Sequence, residues 1–123
     1  YTDMGAWSYE VLSNDRALDT MWNLVDSKNL KEDIIKLLEN GDTDEKVLAC
    51  EIVDISINGV DEEILGGLYD YEEFFEKIQN NPMTDLRLKA FKMIGYVQEH
   101  DGGWIDEVKE QRADLLRKIR ERL

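Results

Sequence analysis

An all-α bundle of about six helices is predicted by three features of the 123-residue sequence. Apolar residues recur at three- and four-residue intervals, the spacing that lines one face of a helix. Stretches with that spacing stop at Asn40-Gly41 and Asn58-Gly59, where glycine accepts the left-handed conformation a helix end often needs. Pro82 is the only proline, and runs of Val and Thr are scarce, which leaves little from which to build a sheet.

The first helix is expected to start at Ser13 or Asn14, both good N-cap residues, and to reach Ser27. Ala17, Leu18, Met21, Trp22, Leu24 and Val25 give it an apolar face. A second helix over 30–40 places Leu30, Ile34, Leu37 and Leu38 on one side. The third opens on Asp42, with Glu45 three residues on to complete a capping box, and runs over 43–58. It is apolar nearly all round, with only Asp44, Glu51, Asp54 and Asn58 forming a narrow polar stripe. Such a helix is surrounded by others, so residues 43–58 are the predicted centre of the fold.

Residues 61–66 read as one short turn, followed by a helix over 70–79 whose Tyr71, Phe74, Phe75 and Ile78 share a face. After Pro82, Thr84 caps a helix over 85–99 that buries Leu86, Ala90, Phe91, Ile94 and Val97. Gly102-Gly103 then separates it from a long last helix with an inner stripe of Trp104, Ile105, Val108, Leu115, Leu116 and Ile119. On its outside Asp114 and Lys118 form an i, i+4 pair in the favoured order. Residues 1–123 are thus one domain, and Tyr1, Thr2 and Asp3, ahead of the first methionine, are expected to be foreign to the natural chain.

Charge narrows the classes of function. With 28 acidic and 15 basic side chains the net charge is −13, the opposite of what binding to a phosphate backbone requires. A charged partner is therefore expected to be a basic protein, with no direct contact to nucleic acid. No apolar run is long enough to span a bilayer and no signal sequence opens the chain, so a cytoplasmic protein is expected. Cys50 stands alone in the most apolar helix, where a thiol is inert packing, and a single cysteine forms no internal disulfide.

Catalytic and metal chemistry find few candidates. His100, the only histidine, sits between Glu99 and Asp101 at a helix end, a place for favourable interaction with the helix dipole. Asn40, Asp42, Asp44 and Glu51 fall at positions 1, 3, 5 and 12 of a calcium loop, but Glu45 stands where the sharp turn wants glycine. Residues 47–52 moreover read as buried helix, so neither a metal nor another cofactor is expected.

Two segments draw attention. Residues 39–76 carry thirteen carboxylates against Lys46 alone, whereas 102–123 are nearly neutral. Concentrated charge of that kind steers oppositely charged partners. Glu45, Glu51, Asp54, Asp61, Glu62, Glu63, Asp70, Glu72, Glu73 and Glu76 are the expected partner-binding residues, set against the plain alternative of a solvated acidic face.

The second segment is Met4-Gly5-Ala6-Trp7, followed by Asn14-Asp15-x-Ala17-x-Asp19. Gly5 and Ala6 permit close backbone approach, Trp7 is a large anchor, and Asp15 and Asp19 sit one turn apart near a helix start. Together they read as an arm that clasps residues 4–12 to the first helix, or as a small-ligand or catalytic site beneath Trp7. These residues resemble the start of domain-of-unknown-function family 4259, with Ser8 and Leu12 standing where that family usually has Gly and Phe. The resemblance implies a small bacterial or phage protein of helical fold and brings no activity with it. The leading functional expectation is a non-catalytic interaction protein, toxin-neutralising or antagonistic, that presents residues 39–76 to a basic partner. A homodimer subunit joined through the aromatic face at Tyr71, Phe74 and Phe75 is a further reading.

Overall fold

Helix α3 (Thr43–Asn58) is the axis of the molecule: every residue from Lys46 to Ser56 is buried. In the computed structural model, which describes residues 9–12, 15–65 and 72–123, six further α-helices accompany it and no strand occurs among the described residues. They are α1 (Asp15–Val25), α2 (Leu30–Asn40), α4 (Glu62–Leu65), α5 (Glu72–Gln79), α6 (Arg87–His100) and α7 (Asp106–Arg122), with a 3-10 turn at Thr84–Leu86. The short segment after α3 thus forms a helical turn of its own, α4. Helices α1, α2, α5, α6 and α7 all pack on α3, the α6 interface being the most extensive. The apolar circumference read from the sequence is accounted for by this five-sided cover.

Local signals place the ends of α3 well. Glu45 N–H donates to Asp42 Oδ1 at 2.9 Å and Asp42 N–H donates to Glu45 Oε1 at 3.0 Å, the reciprocal pair of a capping box. At the other end Gly59 has φ 87°, a left-handed backbone that a side chain would strain. Gly41 departs from the expected pattern, for its backbone is extended at φ −69° and ψ 162°. Its constraint is space: an added Cβ would lie 2.6 Å from the Leu37 carbonyl oxygen.

The last helix starts later than its apolar spacing suggests. Trp104 and Ile105 precede α7, with Ile105 in the extended N-cap position. Asp114 and Lys118 do not pair with each other either. Arg117 takes Asp114 at 2.6 Å, and Lys118 reaches across to Glu63 at 2.9 Å. For Lys118 a partner on a neighbouring helix has displaced the local one.

Gly95 lies within α6, where glycine costs helix stability through its backbone freedom. A Cβ there would meet the Arg120 guanidinium at 3.6 Å, an ordinary contact. Gly95→Ala is therefore expected to stabilise the protein by about 0.5–1 kcal/mol, read as a higher urea midpoint at unchanged slope.

Candidate functional site

The polar stripe of α3 lies along α7, fully buried at Glu51 and Asp54, half-buried at Asp44 and exposed at Asn58. Arg122 Nε donates to Asp54 Oδ2 at 2.7 Å, while Arg112 and Asp44 approach to 3.9 Å. Both pairs are 68 residues apart in sequence, so α3 and α7 run parallel in a fixed register. Between the pairs that register sets Glu51 level with Ile119, not with a third cation. A stripe of carboxylates thus becomes an internal charge seam.

Arg112 anchors one end of the seam. Its side chain is 2 % exposed and its Nε donates to Asp101 Oδ2 at 3.1 Å. Another nitrogen donates to the Tyr9 carbonyl at 2.9 Å, and the guanidinium stands 4.9 Å from the centre of the Trp104 ring. Burial raises the Asp44 carboxyl above its ordinary pKa despite the opposing charge of Arg112. The short approach of Arg112 to Asp101 makes that pair the principal one.

Arg122 closes the other end. Besides Asp54 it donates to Asp61 at 3.2 Å and to the Gly59 carbonyl at 2.7 Å. Burial opposes the charge of Arg122, but its bond to Asp54 wins and its pKa is raised. At Asp61 burial pushes the pKa up, yet the Glu63 backbone amide and Lys118 outweigh it and hold it below the ordinary carboxylate range.

The N-terminal arm joins α4 and α7. Val11 and Leu12 are buried, and their N–H groups donate to the Ile64 and Leu65 carbonyls, both at 3.0 Å. The arm over 9–12 is therefore fastened to α4 and, through Tyr9, to Arg112 of α7, while residues 4–8 of the expected clasp lie outside the described residues. Ala17 is fully buried, while Asp15 and Asp19 are exposed on α1. Gly5, Ala6, Trp7 and Asn14 lie outside the described residues.

The acidic segment does not survive folding as one surface. Glu51 and Asp54, expected to meet a partner, have no exposure at all and belong to the core. Cations from other helices neutralise much of the remainder: Arg16 reaches Asp42 at 3.0 Å, Lys89 pairs with Glu39, and Lys118 bridges Asp61 and Glu63. Glu45 is engaged in the capping box, and Asp70 lies outside the described residues. Glu62, Glu72, Glu73 and Glu76 remain exposed, with no cationic partner among the described residues.

Other expectations meet the structure as follows. Asp42 and Asp44 open a helix while Glu51 is buried within it, so the calcium-loop spacing forms no loop. Among the described residues no group of three or more His, Cys, Asp or Glu side chains is placed to hold a metal ion. His100 stacks on Tyr96 at 4.0 Å, and its Nδ1 lies 2.8 Å from the Tyr96 carbonyl, a local role at the end of α6. Cys50 is buried, its thiol donates to the Ala90 carbonyl at 3.4 Å, and burial pushes its pKa up. Phe74 is 4 % exposed and Phe75 is partly buried against the core, so neither supplies an open aromatic face; Tyr71 lies outside the described residues.

A cleft of about 200 Å³ opens between the arm, α4 and α7, lined by Tyr9, Glu63, Ile64, Gln111, Asp114, Leu115 and Lys118. Another, of about 420 Å³, lies beside the start of α2. Two of its lysines are engaged: Lys77 donates to the Ser27 carbonyl at 2.7 Å, and Lys31 pairs with Asp85.

Sequence reasoning missed Arg112. The signal was present, because Arg112 falls on the inner stripe of α7 together with Leu115, Leu116 and Ile119. An arginine among apolar residues at that spacing requires a buried counter-ion.

An all-α, single-domain protein stitched by an internal charge seam is the class that fold and site define. Residues 5–121 match the family model described as a domain of unknown function (DUF4259), and the chain belongs to that family. No curated protein and no solved structure matches it.

Proposed function

We propose that this protein is a non-catalytic binding protein that offers the exposed carboxylates of α4 and α5 to a basic protein partner, as a toxin-neutralising protein or an antagonist would. The observation that carries the reading is selective neutralisation. Among the described residues, six carboxylates of the segment 39–76 meet cations from α1, α6 and α7, whereas Glu62, Glu72, Glu73 and Glu76 are exposed and meet none there. Three of them, Glu62, Glu72 and Glu73, also lie in the first turns of two short helices, where a carboxylate favours the local dipole. Glu72, Glu73 and Glu76 recur on α5 within five residues, which concentrates negative potential on one helix.

Electrostatic recognition leaves a definite signature. Affinity for a basic nuclease or a basic nucleic-acid-binding protein should fall as salt rises from about 50 to 300 mM, mainly through slower association. Reversing the four charges together (Glu62→Lys, Glu72→Lys, Glu73→Lys, Glu76→Lys) should weaken binding by at least about tenfold, since several opposed charges are lost at once. Glu63 is left intact because it holds Lys118. Titration calorimetry across a panel of basic proteins measures both effects. Binding indifferent to salt and to the four reversals would reject the reading.

A further inference from the structure

Glu51 is a carboxyl group without a donor. It is fully buried at the middle of α3, and neither of its oxygens has a hydrogen-bond partner among the described residues. The cation whose charge acts on it, Arg122, is already committed. Arg122 directs its three nitrogens at Asp54, Asp61 and the Gly59 carbonyl. The other oxygen of Asp54 accepts from Asn58 Nδ2 at 3.0 Å. An ionised Glu51 would add a second buried negative charge beside Asp54, with no donor to receive it. Carrying its proton, the same group can donate to the Asp54 carboxylate.

We infer that Glu51 and Asp54 share one negative charge in the folded protein and form a proton-dependent clasp on the end of α7, which loosens when Glu51 ionises. Part of the cover over the pair is itself open to solvent. Glu51 and Asp54 are wholly enclosed, while the Arg122 side chain above them is 25 % exposed. Contacts at the pair help hold the final turn: Arg122 on Asp54, and Asn58 Nδ2 donating to the Arg122 carbonyl at 2.8 Å, beside the Arg122 bonds to Asp61 and the Gly59 carbonyl and the Arg87 guanidinium on the Leu123 carbonyl. Lifting of that turn would uncover Asp54 and bring water toward an ionised Glu51.

The charged groups facing Glu51 are Asp54 on its own helix, Asp61 in the following turn and Arg122 on α7. Burial first, and Asp54 second, hold its proton well above the ordinary glutamate range against the pull of Arg122. The sign follows from linkage. Above pH ~4.3 the unfolded chain releases this proton while the folded chain keeps it. Stability from this group is therefore fully present below that pH, and falls by up to about tenfold in the folded-to-unfolded ratio per pH unit. The fall levels off once folded Glu51 itself ionises.

The test compares the full chain with Glu51→Gln and Glu51→Met by urea denaturation between pH 5 and 9. Hydrogen exchange of residues 117–123, corrected for intrinsic rate, is followed over the same range. Wild-type protein should lose stability as pH rises, and should lose protection at 117–123 before α6 does. Glu51→Gln, neutral at every pH and able to donate to Asp54, should match wild type near pH 5, exceed it at pH 8 and retain that protection. Glu51→Met should also show a flatter profile, so a failure of one variant to fold leaves the other. Parallel pH profiles for wild type and either variant would overturn the inference. So would wild-type protection that falls uniformly, or that does not change with pH.

Discussion

Arg112→Met is expected to destabilise the protein by about 3–5 kcal/mol, the cost of removing one partner from a buried ion pair. Set against the roughly 5–15 kcal/mol that holds a typical domain together, that loss approaches global unfolding. Methionine fills most of the arginine volume, so packing is not the main deficit. The deficit is electrostatic: the Asp101 side chain, 7 % exposed, loses the guanidinium that meets it, and the Tyr9 carbonyl loses its donor. Lysine should rescue little, because one ammonium cannot reproduce the fork that reaches Asp101 and Tyr9 together. Adding Asp101→Asn to Arg112→Met removes the stranded charge and should restore part of the loss. Urea denaturation of the two single variants and the double variant yields the coupling directly. If Arg112→Met lost under about 1 kcal/mol, an exposed and screened pair would be the better description.

That expectation bears on how much of the molecule can be read from its sequence. The helix class, the limits of α2 and α3 and the central place of residues 43–58 were legible because their causes are local. Asp42 and Glu45 cap the turn they belong to, and Gly59 ends the helix it follows. Charge was another matter. Asp44, Glu51, Asp54 and Asn58 form a polar stripe in sequence, and a stripe looks like a solvent-facing side until its counter-ions are placed. Those counter-ions, Arg112 and Arg122, arrive from a helix 68 residues away. Periodicity records the side of a helix on which a residue lies, but not what that side meets. Which part of the acidic run over 39–76 meets cations was hidden for the same reason, since Arg16, Lys89 and Lys118 lie close to it only after folding. Of the candidate binding residues, Glu62, Glu72, Glu73 and Glu76 keep the exposure expected of them, while Glu51 and Asp54 do not.

Leu48→Ala should cost about 2–5 kcal/mol, the range for truncating a leucine whose surroundings cannot close around the gap. Leu88→Ala, the same chemical change, should fall within about 0.5 kcal/mol of wild type. Leu48 is 1 % exposed on α3 and Leu88 is 64 % exposed on α6, so the contrast isolates enclosure from side-chain chemistry. Enclosure at Leu48 is secured from several directions, because five helices rest on α3 and inward collapse of one would pull it from its other neighbours. Leu48→Met, which nearly conserves volume, should cost less than about 1.5 kcal/mol. Urea midpoints at a common pH, with unchanged slopes, compare the three variants on one scale. A small loss for Leu48→Ala would mean that the helices around α3 settle into the cavity. The fixed register between α3 and α7 would then be looser than the pairs Asp44–Arg112 and Asp54–Arg122 imply.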